Sequence, residues 1–131
     1  MRIGQLAQIV GVGKQTIRFY EGQGLLSPPK RQENGYRVYT DAHVEQLTFI
    51  KRCRALALSL VEIRELIRHQ ANPREPCTVV NEILDDHIAR VRAQRVILDA
   101  LEAQLVALRN NCNGGQQGEG CGILAGISGQ G

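Results

Sequence analysis

Tryptophan is missing from this chain of 131 residues, and three tyrosines with two phenylalanines are its whole aromatic complement. So little ring volume at this length builds one small domain, or a compact head carrying a long helical extension, and excludes a large enzyme core. Long apolar runs are missing too: nothing approaches the roughly 18 residues that a membrane-spanning helix needs. The opening MRIGQLAQIV has neither the basic flank nor the cleavage site of a secretory signal, so the expected location is the cytoplasm, with no membrane partner. Cysteine is scarce at four residues, and in a reducing compartment four thiols argue for metal or redox chemistry rather than structural disulfides. No combination of nucleophile, base and oxyanion donors is visible, which argues against an enzyme.

The charge that is present is unevenly placed. Residues 1–72 hold eleven Lys/Arg against six Asp/Glu, a balance of +5, whereas residues 73–131 hold five against seven, a balance of −2. A basic front end fits phosphate neutralisation, although a solvated basic face would give the same count.

Within that front end, residues 3–10 place Ile3, Leu6, Ala7 and Val10 on one helical face, and Gly11-Val12-Gly13 breaks the helix. A second helix follows over residues 14–23, with Ile17 turned inward and Gly24 ending it ahead of Leu25-Leu26. Two short helices joined by a glycine turn have the size of a helix-turn-helix. In SPPKRQENGYRVYT, Pro28-Pro29 forbid helix and Asn34-Gly35 signals a hairpin between residues of high β-propensity. This hairpin is expected to be a small wing, with Tyr36, Val38 and Thr40 on one side and Arg37 and Tyr39 on the other, gripping a sugar-phosphate backbone. Arg18, in the N-terminal half of the second helix, is the base-reading candidate because a guanidinium can take a guanine edge bidentately, and Lys14 and Thr16 stand beside it.

Two further helices should complete the head. Residues 41–56, capped by Asp41, repeat Val44, Leu47, Ile50 and Arg54; residues 59–70 open on a Ser59–Glu62 capping box and repeat Leu60, Ile63, Leu66 and Ile67. Cys53 falls inside the apolar periodicity and reads as a small core residue. His43, His69 and His87 read as residues of solvated or interface faces. Residues 71–76, with two prolines, form a linker. From residue 78 to 109 the pattern turns to heptads: Leu84, Val91, Leu98 and Leu105 lie seven apart, with Val80, Leu101 and Leu108 on the companion seam and His87 and Gln94 as its polar interruptions. Such a helix is about 48 Å long and too long for so small a head to bury, so it should pair with a second copy. The resulting fold class is mainly α, with domains at 1–72 (winged head and connecting helices), 73–111 (antiparallel coiled-coil dimerisation helix) and 112–131 (metal-binding loop and tail).

Cys77 stands just before the long helix, Cys112 just after it, and Cys121 closes a glycine-rich loop. In one continuous helix, Cys77 and Cys112 of the same chain lie on the order of 50 Å apart and cannot share an ion. An antiparallel dimer brings Cys77 of one subunit to Cys112 and Cys121 of the other, giving two sites about a two-fold axis near Gln94 and Arg95. Three thiolates with no histidine in the loop suit a soft ion such as lead, cadmium or mercury, while zinc prefers a fourth ligand.

The run IGQLAQIVGVGKQTIRFYEGQGLL, then NGYRVYT, the two further helices, the long helix and the cysteine loop resemble a MerR-family transcription regulator over essentially the whole chain. CTVVNEILDDHI and the terminal CGIL resemble the cadmium- and lead-responsive branch of that family. The resemblance implies a homodimer on a palindromic operator in double-stranded promoter DNA, repressing without metal. With Pb2+ or Cd2+ bound, it implies DNA that is bent and untwisted so that RNA polymerase engages; Hg2+ or Zn2+ are alternative effectors. It also implies backbone and groove contacts by Arg18, Tyr20, Tyr36, Arg37 and Tyr39; half-buried core aromatics are the less favoured reading of Tyr20 and Tyr39. Two other classes compete. A thiol redox regulator would use Cys112 and Cys121 as a switch and need no Cys77, and a metal-sequestering protein would have no use for Arg18, Arg37 and the wing.

Overall fold

The structure, a computed structural model, describes residues 1–111 and 121–129. In chain order these form α1 (Ile3–Val10), α2 (Lys14–Gly22), β1 (Lys30–Arg31), β2 (Arg37–Val38), α3 (Asp41–Ala55), α4 (Leu60–Gln70), α5 (Thr78–Asn110) and α6 (Gly122–Ser128). They divide into two compact units, Met1–Ile83 and Leu84–Gly131, so the first unit continues past residue 72 through the linker into the opening turns of α5. No described helix is long and apolar enough to cross a membrane.

The first unit is built around the expected apolar faces. Leu6 and Val10 of α1, Ile17 of α2, Leu47 and Ile50 of α3 and Ile63 of α4 are buried with Leu25, Leu26, Tyr39, Cys53 and Leu58. Cys53 thus sits in the core, and burial pushes its thiol above the ordinary acidity range.

Glycine stops the first two helices where the chain must turn left-handed. Gly11 (φ 76°) ends α1, and Lys51 Nζ donates 2.8 Å to Val10 O at that end. Gly24 (φ 75°) ends α2, with Gly24 N donating to Glu21 O and Leu25 N to Tyr20 O at 3.0 Å each, the double bond of a Schellman stop. The turn from α3 to α4 uses the same left-handed region at Ala57 (φ 62°), where no glycine is available. Ser59 then caps α4: Glu62 N donates 3.1 Å to its Oγ and its own N donates 2.9 Å to Glu62 Oε1, as the sequence pattern predicts.

Three expectations are corrected. Thr40, not Asp41, is the N-cap of α3, and its partner is His43: Thr40 N donates 3.0 Å to His43 Nδ1. That leaves the proton of His43 on Nε2, which donates 2.9 Å to Ser27 O. His43 and His69 are buried rather than solvated, at 5% and 9% exposure, and both have ring-nitrogen partners; His69 Nδ1 lies 3.2 Å from Glu75 Oε2. Arg54, expected on the apolar stripe of α3, is exposed, and its guanidinium donates 2.9 Å to Leu58 O, bracing the α3–α4 turn.

In the second unit, α5 runs unbroken for 33 residues from the first, and its seam stays open: Leu84, Val91, Leu98 and Leu105 are 41–62% exposed. The short α6 lies against the end of α5 through glycine. A Cβ at Gly126 would come within 2.6 Å of Leu108 Cδ2, and one at Gly122 within 2.5 Å of Asn111 O.

Candidate nucleic-acid interface and metal-binding cysteines

The wing is a short antiparallel hairpin in which Lys30 pairs with Val38 and Arg31 with Arg37. Its turn is one residue longer than the two-residue loop that an Asn-Gly pair by itself suggests. Gly35 N donates 2.9 Å to Gln32 O, Gln32 N donates 2.8 Å to Tyr36 O, and Gly35 has φ 83°. Asn34 is not in the left-handed region, so the loop is a type I turn closed by a glycine bulge. Asn34 Oδ1 accepts from Tyr36 N at 3.2 Å, which explains why asparagine occupies this place. The root of the wing is tied to α3: Ser27 N donates 3.0 Å to Gln46 Oε1, and Gln46 Nε2 donates 2.9 Å back to Ser27 Oγ.

An open groove of about 1220 Å³ runs between α1, the start of α2 and the wing. It brings together Lys14, Arg18, Tyr36 and Arg37, as the sequence predicts for a shared surface, and adds Arg2, which sequence reasoning missed. Its four charged lining residues, Arg2, Lys14, Arg18 and Arg37, are all cations, so the groove suits a polyanion. The guanidinium of Arg2 stacks 3.8 Å from the centre of the Tyr36 ring and ties the start of α1 to the wing tip. Tyr36 remains 55% exposed. Thr16 is exposed on α2 beside Arg18. Arg31 is a second omission: it is exposed directly across the hairpin from Arg37. Two like charges facing each other on one ribbon are unfavourable by themselves.

Glu21 relieves that repulsion. Its carboxylate, with a side chain only 12% exposed, lies 3.4 Å from Arg37 Nη1 and also accepts a short hydrogen bond from the Tyr39 hydroxyl. Tyr39 itself is 1% exposed, packs edge-on against His43 with ring centres 5.2 Å apart, and exchanges backbone hydrogen bonds of 2.7 Å with Met1. Burial, then the Glu21 carboxylate, pushes its phenol up to about 12. The expected DNA contact by Tyr39 is therefore corrected: a buried ring cannot reach a backbone, and the residue instead locks the wing strand to α2 through Glu21. Tyr20 is half-buried against the core, with its ring centre 6.0 Å from that of the exposed Phe19.

Of the three predicted thiols, Cys77 is exposed immediately before α5, and Cys121 is half-buried as the N-cap of α6. Cys112 lies outside the described residues, and among the described residues no group of three or more His, Cys, Asp or Glu side chains is placed to hold an ion. The donors that can be described fit a soft cation. Cys77 is exposed, and both Cys77 and Cys121 offer sulfur, the donor a soft ion prefers.

The chain has relatives among known proteins. It is 39% identical over 109 residues to the HTH-type transcriptional regulator ZntR homolog of Haemophilus influenzae, spanning 83% of this chain and 81% of that one. Its fold matches the transcription regulator PbrR691 from Ralstonia metallidurans CH34 in complex with lead(II), with a TM-score of 0.86 and 42% identity over 97% of this chain and 98% of that one. It also matches the dual-function regulator MerR from Bacillus megaterium MB1 in complex with mercury(II), with a TM-score of 0.70 and 30% identity over 98% and 99%. These are transcription regulators, not enzymes. The family model described as MerR HTH family regulatory protein matches residues 1–70, and that described as MerR, DNA binding matches residues 44–108; the chain belongs to the MerR family of transcription regulators.

Proposed function

We propose that this protein is a cytoplasmic metal sensor that binds a palindromic promoter operator as a homodimer and, when loaded with lead(II) or cadmium(II), distorts the DNA so that RNA polymerase can start transcription of metal-resistance genes. The observation that carries the dimer is α5: an unbroken helix of 33 residues whose apolar seam is open to solvent along its length. A second α5 packed antiparallel covers that seam. The same packing carries Cys77 of one protomer to Cys112 and Cys121 of its partner, since at about 1.5 Å per residue the two ends of one helix lie on the order of 50 Å apart. The domains follow as a head over 1–72, a dimerisation helix over 73–111 and a sensing loop and tail over 112–131.

On the DNA side, Lys14, Arg18, Tyr36 and Arg37 line one cationic groove, with Thr16 exposed beside it; they supply the phosphate and groove contacts, and Arg18 takes a guanine edge. A dimer doubles the groove about a two-fold axis, which makes the operator palindromic. Bending a duplex is an ordinary expense, on the order of a few kcal/mol, so a modest shift between two dimer states can control it. A soft ion held by three thiolates supplies the link between the loop of one protomer and the linker of the other. The likeness to the lead(II)-bound regulator favours lead. The likeness to the mercury(II)-bound one makes mercury the second reading, because three sulfurs serve either ion.

Competitive titration of the purified dimer with lead, cadmium, mercury and zinc, followed by the thiolate charge-transfer band and in vitro transcription, ranks the ions. Cys77→Ser is expected to abolish lead- and cadmium-driven transcription while operator binding stays intact. An undiminished metal response in that variant would remove the three-thiolate site, and a response to peroxide alone would favour the thiol redox class.

A further inference from the structure

The inward side of α2 is defined by buried Ile17 and half-buried Tyr20 and Glu21. At roughly 100° per residue, the line opposite that face passes through Gln15 and Phe19, with Arg18 on one flank and Thr16 on the other. Both residues on the line are exposed, Phe19 by 49%, although this is a protein with only two phenylalanines. One turn further along is Gly22, where an added Cβ would meet nothing within 4 Å, so the outward space continues open. Gln15 and Phe19 also share the lining of a shallow depression of about 250 Å³ with Thr16, Tyr20, Arg54 and Leu60. The phenyl ring is braced there by Tyr20, at 6.0 Å between centres and 51° between planes.

The centre of the recognition surface is therefore an amide and a phenyl ring, with Lys14 and Arg18 in the groove on one side and Arg54 at the depression. Neither central group neutralises a phosphate. A glutamine amide presents one donor and one acceptor, the pattern that matches adenine N7 and N6 in the major groove, and an apolar side chain complements the 5-methyl group of thymine. We propose that Gln15 and Phe19 read A·T base pairs in each operator half-site, with Gln15 hydrogen-bonded to an adenine edge and Phe19 packed on a thymine methyl. Lys14 holds the helix in register beside them, and Arg18 keeps its guanine edge. Four residues of helix separate the two side chains by about 6 Å along the axis, so the two bases lie within roughly two base-pair steps of each other.

This inference rests on the proposed DNA-binding role, and its test separates the two. Duplexes selected by the purified dimer from a randomised palindromic library are rebuilt with each thymine in turn replaced by deoxyuridine and each adenine by 7-deazaadenine. The wild type, Phe19→Ala and Gln15→Ala proteins are then titrated against the set. The expected result is one thymine per half-site whose loss of methyl weakens the wild type about fivefold and leaves Phe19→Ala indifferent. One adenine should cost the wild type about tenfold when N7 is removed and leave Gln15→Ala indifferent. Both variants should keep the wild-type salt dependence, because no phosphate contact is lost. Variants that retain full sensitivity at every substituted base, or that lose salt dependence, overturn the inference and leave the operator-binding role standing. A wild-type dimer that selects no common sequence overturns both.

Discussion

Replacing Tyr39 by phenylalanine isolates the lock between wing and recognition helix. The ring stays, so the 1%-exposed packing and the edge-on contact with His43 at 5.2 Å are retained, and only the hydroxyl that donates to Glu21 is lost. A hydrogen bond to an ionised acceptor contributes about 1.5–3 kcal/mol, and because the Glu21 side chain is 12% exposed, water replaces part of it; the expected loss is about 1.5–2 kcal/mol. Urea denaturation at fixed protein concentration, so that dimerisation does not shift the midpoint, measures it. The pH dependence adds a second constraint. Burial first, then Glu21, raises the folded pKa from 10.0 to about 12, so the stabilisation of the neutral phenol is complete below pH 10 and is lost as pH rises through 12. Wild type and variant should therefore differ by a constant amount at neutral pH and converge above 10, with one late-ionising tyrosinate signal present in the wild type and absent from the variant. A difference below about 0.5 kcal/mol, or ionisation of Tyr39 near 10.0, would refute the lock.

Other outcomes follow from the same contacts. Ala57 sits at φ 62°, where an L-residue is strained by about 1–2 kcal/mol, and it is exposed; Ala57→Gly should raise stability by about 0.5–1 kcal/mol after the entropy of glycine is subtracted, and unchanged thermal or urea midpoints would count against it. Ser59→Ala removes the acceptor for Glu62 N and should cost about 1 kcal/mol by the same measurement. Arg2→Ala should weaken operator binding and lower the salt slope by about 1 if Arg2 touches a phosphate; an unaltered slope would restrict it to holding Tyr36. Gly122→Ala places a Cβ 2.5 Å from Asn111 O and must move the helix that Cys121 caps, so metal-dependent transcription should fall while apo operator binding stays; an intact response would show that α6 position does not matter.

The local signals that carried the fold are strong ones. The face of Ile3, Leu6, Ala7 and Val10 yielded a helix over Ile3–Val10, the Ser59–Glu62 pair yielded the cap of α4, and the heptads yielded one helix over Thr78–Asn110, each because the instruction lies within a few residues of where it acts. The misreadings share a cause. His43 looks like a surface histidine in sequence, yet it accepts from Thr40 and donates to Ser27, 16 residues away, and burial becomes tolerable only once both partners are in place. Tyr39 looks like a DNA contact because the alternation of a strand puts it beside Arg37, but β2 is only two residues long, and past its end the chain turns Tyr39 into the core.

The sequence by itself determined the helices, the turn glycines, the basic front end and the spacing of thiols about a long helix, since these depend on backbone preference, period and charge. Only the tertiary structure decided which cations share a groove, that Glu21 holds Arg37 and Tyr39, and that Gln15 and Phe19 lie at the centre of the exposed face of α2. Those relations join residues up to tens of positions apart, and the packed core, through burial and hydrogen bonding, selects which of them meet.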